Sequence, residues 1–209
     1  TAAALKNGTP WNVVMLGDSI VNDSFNSVFQ ALIQRDFPKS RVRFIPSVRG
    51  STGCWFYQDP TNFTDYVTRH KPDLLMIGGI SNLLKDPANV PAGMAKVEAV
   101  INQAKQLGCE IVLMSPACSI DWRPGSPTPP SWNENTLADG RLTWSPYGAL
   151  AGKCGIAFWN MTVPTADYMA KSGKPHNFFN RDFIHNNDRG KQIIGRVLQR
   201  YFLTARTPP

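Results

Sequence analysis

The sequence has no apolar run long enough to cross a membrane, which takes about 20 consecutive residues. It also has no internal repeat and no dense block of lysine and arginine, although its 209 residues carry a net charge of +7. Scattered positive charge is typical of a solvated surface, suits an anionic polysaccharide and only weakly indicates a nucleic-acid footprint. We therefore expect no membrane insertion and no nucleic-acid binding.

Cysteine is scarce and is not clustered. The chain has four cysteines, and none form a Cys-x-x-Cys pair: Cys54, Cys109, Cys118 and Cys154. The sequence therefore predicts neither a zinc site nor a redox site, and it implies no metal and no cofactor. Cys109 opens an apolar run and is interpreted as a core thiol. An even number of cysteines leaves disulfides open without requiring them.

The 209 residues, 42% of them hydrophobic, suit one domain over residues 1–209 with a substantial core. No signal peptide is visible, which leaves export open. An N-x-S/T sequon at Asn22 lies three residues from Ser19, a candidate functional residue. A glycan there would obstruct Ser19, so we expect a bacterial protein, secreted or periplasmic, with the cytoplasm as the alternative. The sequence indicates no oligomeric state.

Strand-like and helix-like segments alternate along the chain. Short apolar runs predict strands at 12–16, 41–46, 73–79, 109–116 and 155–160. Side chains spaced for one helical face predict a helix through residues 25–33, a long helix closed by Gly108 and a last helix from about Asp188. Strands joined by helices predict an α/β fold with a mostly parallel, doubly wound sheet.

An unusual stretch follows each of the first four predicted strands. Ser19 follows the first, glycines at 50–53 the second, a Gly/Asn segment at 78–82 the third, and a loop rich in Trp and Pro at 119–147 the fourth. In such sheets, ligands bind outside the carboxyl ends of the strands. The four stretches are therefore expected to meet at one edge of the sheet and to form a site there.

Ser19 stands where an apolar run ends, in the sequence Gly17-Asp18-Ser19. Serine or aspartate at such a position often only caps the following helix. A catalytic serine needs a base to take its proton. His185 is a candidate base, because Asp182 precedes it by three residues and can reach the imidazole within one tight turn. The combination favours a Ser-His-Asp triad over a capping role.

Four blocks, in family order, resemble the GDSL, or SGNH, hydrolases. They are Gly17-Asp18-Ser19-Ile20, the glycines after the second strand, the Gly/Asn segment after the third, and Asp182-x-x-His185. The resemblance covers almost the whole chain. It implies a flavodoxin-like three-layer α/β/α sandwich with a mostly parallel five-stranded sheet. It also implies a serine hydrolase of esters whose triad is Ser19, His185 and Asp182.

The same resemblance implies an oxyanion hole built from the N–H groups of Ser19 and Gly53 and an asparagine side chain. Gly53 fits the usual G-x-x-G spacing as donor, and Gly50 is then the expected turn residue. The family pattern G-x-N-D is replaced here by GGISN, so that Asn82 falls one position late. The third donor is therefore either Asn82 or a nearby backbone N–H, and a capping role for Asn82 is a further alternative.

The segments RGSTGCWFY and GGIS are similar to those of bacterial carbohydrate esterases that remove acetyl groups from xylan-type polysaccharides. Tryptophan rings can stack on sugars, so Trp55, Trp122 and Trp132 are candidate substrate-binding residues, with loop packing as the alternative for each. The predicted function is an O-acetylesterase of acetylated carbohydrate that works through an acetyl-enzyme. The alternatives are a polysaccharide O-acetyltransferase with the same triad and a non-catalytic glycan-binding domain of the same fold.

Overall fold

The computed structural model describes residues 1–78, 90–117, 145–182 and 184–204. Within them, five parallel strands form one sheet in the order β2-β1-β3-β4-β5. The strands are β1 (Pro10–Gly17), β2 (Arg41–Val48), β3 (Leu74–Ile77), β4 (Glu110–Met114) and β5 (Ala157–Trp159). All five overlap the strands predicted from apolar runs, and the predicted α/β sandwich is confirmed.

Helices cover both faces of this sheet. Those of the described residues are α1 (Ala2–Asn7), α2 (Ser19–Phe25), α3 (Phe29–Asp36), α4 (Cys54–Tyr57), α5 (Pro60–Tyr66), α6 (Val90–Lys105), α7 (Ser145–Cys154), α8 (Thr162–Lys171) and α9 (Asp188–Thr204). Short 3₁₀ turns occupy Thr68–His70 and His176–Phe178. The sequence patterns did not predict α1, α4, α7 or α8.

Strand β1, which lies between β2 and β3, shows why the sheet is buried on both faces. Successive side chains of a strand point to opposite faces. Val13 and Met15 pack into a core with α2, α3 and α9, whereas Val14 and Leu16 pack into a second core with α4 to α7. An unbroken apolar run therefore serves two cores at once, as parallel sheets require. The carboxyl end of β1 then lies between those of β2 and β3.

The single helix predicted through residues 25–33 is wrong. The structure ends α2 at Phe25 and begins α3 at Phe29. Between them, the Ser27 hydroxyl donates to the carbonyl of Ser24 at 2.6 Å and accepts from the N–H of Phe29 at 3.5 Å. Such side-chain bonds to the local backbone compete with helical hydrogen bonds. The apolar spacing runs through the break because both helices face the same core.

The ends of β1 and β3 approach each other closely at two glycines. The N–H of Gly78 donates to the carbonyl of Leu16 at 3.0 Å. A Cβ on Gly17 would lie 2.4 Å from the carbonyl oxygen of Gly78 and 2.4 Å from a methyl group of Val21. Because backbone and packed side chains surround this point, only a residue without a side chain fits. Gly17 is therefore required for packing at the strand end that precedes Ser19.

The described helices include none that is both long enough and apolar enough to span a membrane. The three described cysteines, Cys54, Cys109 and Cys154, are free thiols. Cys54 and Cys154 are buried, and Cys109, interpreted as a core thiol, is only partly buried. Cys118 lies outside the described residues.

Candidate active site

Ser19 is the first residue of α2 and lies two residues after Gly17, the last residue of β1. The preceding residue, Asp18, caps the helix, because its Oδ1 accepts a hydrogen bond from the N–H of Ile20 at 2.8 Å. Asp18 is almost fully buried, with 1% of its surface exposed. The capping role that competed for Ser19 in the sequence is thus filled by its neighbour, and the Ser19 hydroxyl is directed elsewhere.

The hydroxyl of Ser19 contacts a histidine that is 166 residues away in the sequence. Ser19 Oγ lies 2.8 Å from His185 Nε2. The other ring nitrogen, His185 Nδ1, lies 2.8 Å from Asp182 Oδ2. The three side chains singled out by the sequence motifs therefore form one continuous hydrogen-bonded chain.

Asp182 holds His185 through its backbone as well as through its ring. Its second oxygen, Oδ1, accepts from the N–H groups of Ile184 at 2.9 Å and His185 at 2.7 Å. Partial burial opposes ionisation of Asp182, but these two N–H groups, followed by the His185 ring, outweigh it and lower the pKa of its carboxyl. An ionised Asp182 carboxylate can only accept hydrogen bonds, so His185 Nδ1 carries the hydrogen. Nε2 is then left to accept a hydrogen bond from the Ser19 hydroxyl.

Gly53 immediately precedes α4, in the segment that follows β2. It is buried and takes the position before the first helical residue. Its N–H donates to no acceptor among the described residues, although its carbonyl accepts from the N–H of Phe56 at 2.9 Å. A buried N–H of this kind needs a partner, and the described part of the chain supplies none.

Tyr57 joins α4, which follows Gly53, to the end of β1. The sequence motifs did not point to this residue. Its fully buried hydroxyl donates to the carbonyl of Gly17 at 2.6 Å. Burial raises the pKa of this phenol well above its usual value, so the group stays a neutral donor. The one available signal is an aromatic residue a single helical turn after Gly53. This contact fixes α4 relative to the residue two positions before Ser19.

No protein-family model matches the chain, and no curated protein matches its sequence. Solved structures do match. An acetyl xylan esterase, AlAXEase, superposes with a TM-score of 0.69 at 16% identity, covering 90% of this chain and 97% of that one. A two-domain esterase active on acetylated mannans gives 0.73 at 14% identity, covering 98% of this chain and 52% of that one.

A third match is a catalytic mutant of Axe2, an acetylxylan esterase from Geobacillus stearothermophilus. It has a TM-score of 0.68 at 18% identity and covers 92% of this chain and 94% of that one. The chain has the SGNH-esterase fold. At these identities the similarity is one of fold, and the chemistry has to be argued from this chain's own residues.

In this SGNH fold, the turn after β2 differs from the expectation in one respect. Gly50 was expected to be the turn residue that needs a glycine. The left-handed backbone conformation belongs instead to Ser51, at φ 54°, and a Cβ on Gly50 would meet open space. The hydroxyl of Thr52 donates to the carbonyl of Gly50 at 3.1 Å, and this hydrogen bond closes the turn. The turn thus delivers Gly53 without a conformational need for glycine at position 50.

Of the three candidate substrate-binding tryptophans, the described residues include one. Trp55 lies on α4, two residues after Gly53, and exposes 43% of its surface, more than most large apolar side chains here. Asn82, Trp122 and Trp132 lie outside the described residues. Over the described ranges, no group of three or more His, Cys, Asp or Glu side chains is placed to hold a metal ion.

Proposed function

We propose that this protein is a carbohydrate O-acetylesterase whose nucleophile is Ser19, whose general base is His185 and whose orienting carboxylate is Asp182. The observation that carries the proposal is the hydrogen-bonded chain from Ser19 Oγ through both nitrogens of His185 to Asp182, with both links at 2.8 Å. These are the contacts and roles by which a serine triad is recognised, whatever the fold. The lowered pKa of Asp182 keeps a negative charge where an imidazolium would form.

The first half of the reaction forms an acetyl-enzyme. Ser19 Oγ attacks the acetyl carbonyl as His185 Nε2 removes its proton, and the carbonyl oxygen becomes an oxyanion. The N–H groups of Ser19 and Gly53 stabilise that charge, with Asn82 as the candidate third donor. When the tetrahedral intermediate collapses, the C–O bond to the sugar breaks and His185 returns the proton to the departing sugar hydroxyl.

The second half releases acetate. Water replaces the sugar, His185 Nε2 takes a proton from it, and the resulting hydroxide attacks the acetyl-enzyme. Collapse of the second intermediate breaks the bond between the acyl carbon and Ser19 Oγ, and the proton on His185 returns to Ser19. The enzyme is regenerated, and one water molecule is consumed for each acetyl group removed.

Two observations support acetylated carbohydrate as the substrate class. Structures that share the fold include an acetyl xylan esterase, an acetyl-xylooligosaccharide esterase and an esterase active on acetylated mannans. Trp55 offers an exposed indole face beside Gly53, and such a face can stack on a sugar ring. Acetylated xylan-type polysaccharide is therefore the substrate we propose.

The test is acetate release from a panel of acetylated xylans, mannans and oligosaccharides, with 4-nitrophenyl acetate and octanoate as chromogenic esters. We expect activity on at least one acetylated carbohydrate, a preference for acetate over octanoate, and a loss of at least about a thousandfold in kcat for Ser19→Ala. Ser27→Ala is the matched control, because this serine hydroxyl contacts only the local backbone. Full activity of Ser19→Ala would refute the proposal, and acetyl transfer to sugar instead of water would indicate an acetyltransferase.

A further inference from the structure

A buried carboxylate links the helix that carries Ser19 to the segment that carries His185. Asp23 lies on α2 and exposes only 2% of its surface. Its Oδ1 accepts from Arg181 Nη1 at 3.0 Å, and its Oδ2 accepts from the N–H of Asn186 at 3.0 Å. Both partners lie about 160 residues further along the chain and flank the segment that contains Asp182 and His185.

The segment is also closed on itself. Asn180 and Asn186 form an isolated antiparallel bridge, and their side chains are joined by a hydrogen bond of 2.8 Å. Arg181 donates from its N–H to the carbonyl of His185 at 3.0 Å and from Nη1 to the carbonyl of Asn186 at 2.6 Å. One Arg181 nitrogen therefore bonds both to Asp23 and to the residue that follows His185.

The geometry of α2 relates this link to the candidate nucleophile. Residues four apart lie on the same face of a helix, so Ser19 and Asp23 are presented side by side. The His185 segment contacts both, through His185 Nε2 on Ser19 and through Arg181 and Asn186 on Asp23. Two contacts to one helical face fix both the distance and the angle of the segment, which one contact could not do.

The energetics indicate a role other than stability. Taking a carboxylate out of water is costly, and a buried ion pair is often no more stabilising than an apolar replacement. Arg181 is half exposed and Lys191 lies 3.8 Å from Asp23, so the buried charge is held by two cations at a helix surface. Such a pair is best explained by the precise position it imposes on the two segments it joins.

We infer that Asp23 and Arg181 are positioning residues that hold His185 in line with the Ser19 hydroxyl. This inference rests on the proposed function, because it assigns the pair a purpose only if His185 acts on Ser19. A displacement of about 1 Å between reacting groups can cost a hundredfold in rate. Loss of the link should therefore slow the attack by Ser19 and leave substrate affinity almost unchanged.

The experiment measures Ser19 directly, with a fluorophosphonate probe from which the serine oxygen displaces fluoride. Labelling rates, kcat and KM for 4-nitrophenyl acetate are measured for wild type, Arg181→Met, Asp23→Asn and Arg181→Lys, well below each melting temperature. Asp36→Asn is the matched control: its carboxylate also joins a neighbouring helix to α9, through Gln199, but does not contact the His185 segment. Circular dichroism establishes that each variant is folded.

We expect Arg181→Met to lower both the labelling rate and kcat by about tenfold or more, with KM within about twofold of wild type. Asp23→Asn should have a smaller effect in the same direction, because its amide oxygen can still accept from Asn186. The labelling rate and kcat of Arg181→Lys should lie within about threefold of wild type, since an ammonium can also bridge the Asp23 carboxylate and the Asn186 carbonyl. Asp36→Asn should label at the wild-type rate.

Wild-type labelling rates in folded Arg181→Met and Asp23→Asn would overturn the inference, as would an equal loss in Asp36→Asn. If wild type is labelled but releases acetate from no acetylated carbohydrate, the proposed substrate fails and the positioning role is still decided by the labelling rates. If wild-type Ser19 is not labelled at all, the triad and the positioning role are both overturned.

Discussion

Asp18 and Asp23 lie five residues apart around one short helix and are equally buried, with 1% and 2% of their surfaces exposed. Their surroundings differ. Asp23 is met by the guanidinium of Arg181 at 3.0 Å and the ammonium of Lys191 at 3.8 Å. Around Asp18, burial dominates and raises its pKa to about 7, offset in part by hydrogen bonds from the backbone N–H of Ile20 and its neighbours.

The contrast separates two uses of a buried carboxylate. Asp23 is held by cations from a distant part of the chain and joins two segments. Asp18 caps its own helix and is held largely by backbone groups, so its charge is costly to keep and its proton is easily retained near neutral pH. The same residue type at the same depth thus serves as a long-range connector in one place and as a titratable cap in the other.

The largest expected effect comes from removing the connector. Asp23→Ala leaves the N–H of Asn186 without its acceptor and removes the buried carboxylate from Arg181 and Lys191, and breaking one side of a buried pair costs about 3–5 kcal/mol. We expect a loss of that size in the free energy of unfolding, measured by urea denaturation at pH 7. Asp167→Ala, which removes an exposed pair with Lys171, should cost less than about 1 kcal/mol. Equal losses for the two variants would remove the distinction between connector and surface charge.

The second effect concerns pH. Because the pKa of Asp18 is raised from 3.8 to about 7 on folding, the folded protein binds a proton that the unfolded chain has released. Its contribution to stability is therefore fully present below about pH 4 and is lost as the pH rises to about 7, by about 4 kcal/mol in total. Asp18→Asn keeps an oxygen for the N–H of Ile20 but cannot ionise. Its free energy of unfolding should therefore rise relative to that of wild type as the pH increases over this interval.

The measurement is the free energy of unfolding of wild type and Asp18→Asn at intervals between pH 4 and pH 8. Asp59→Asn is the control, because Asp59 caps α5 through the N–H groups of Thr61 and Asn62 but is exposed. A constant difference between wild type and Asp18→Asn across this range would show that the Asp18 cap carries no cost of charge burial.

The smallest effect on stability is expected at Tyr57, a neutral hydrogen-bond donor near Asp18. Tyr57→Phe removes the hydroxyl that donates to the carbonyl of Gly17 at 2.6 Å, and that carbonyl keeps the N–H of Arg49 at 3.0 Å. A loss of about 1 kcal/mol in the free energy of unfolding is expected, the usual net value of such a bond. Tyr168→Phe, at an exposed tyrosine, should be neutral. A loss above about 3 kcal/mol would mean that the Tyr57 hydrogen bond stabilises the fold as much as the charged contacts of Asp23 do.

Much of the fold could be predicted because parallel strands buried on both faces leave a strong signal in the sequence. The apolar runs around Val14, Leu75 and Leu113 are unbroken, and all three residues are fully buried. The break between α2 and α3 could not be predicted, because it depends on hydrogen bonds made by the Ser27 hydroxyl and leaves the apolar spacing intact. α8 was missed because it is short and polar residues interrupt its buried face.

The candidate site was predictable to the extent that its residues are local. Asp182 and His185 are three residues apart, and Ser19 follows the end of a strand, so spacing and position both point to them. Asp23 and Arg181 are 158 residues apart and belong to no spacing pattern, so their contact exists only once the chain has folded. Tyr57 is equally invisible, since a buried hydroxyl on a short aromatic helix cannot be distinguished from ordinary core packing in a sequence.

The separation of 166 residues between Ser19 and His185 also has a consequence for biosynthesis. The strand that precedes Ser19 is translated before the segment that carries His185. Contacts between such distant segments form late in folding, because a long loop must close before they can be made. We therefore expect that a nascent chain cannot form the contact between Ser19 and His185 until the His185 segment has been translated and has docked on α2.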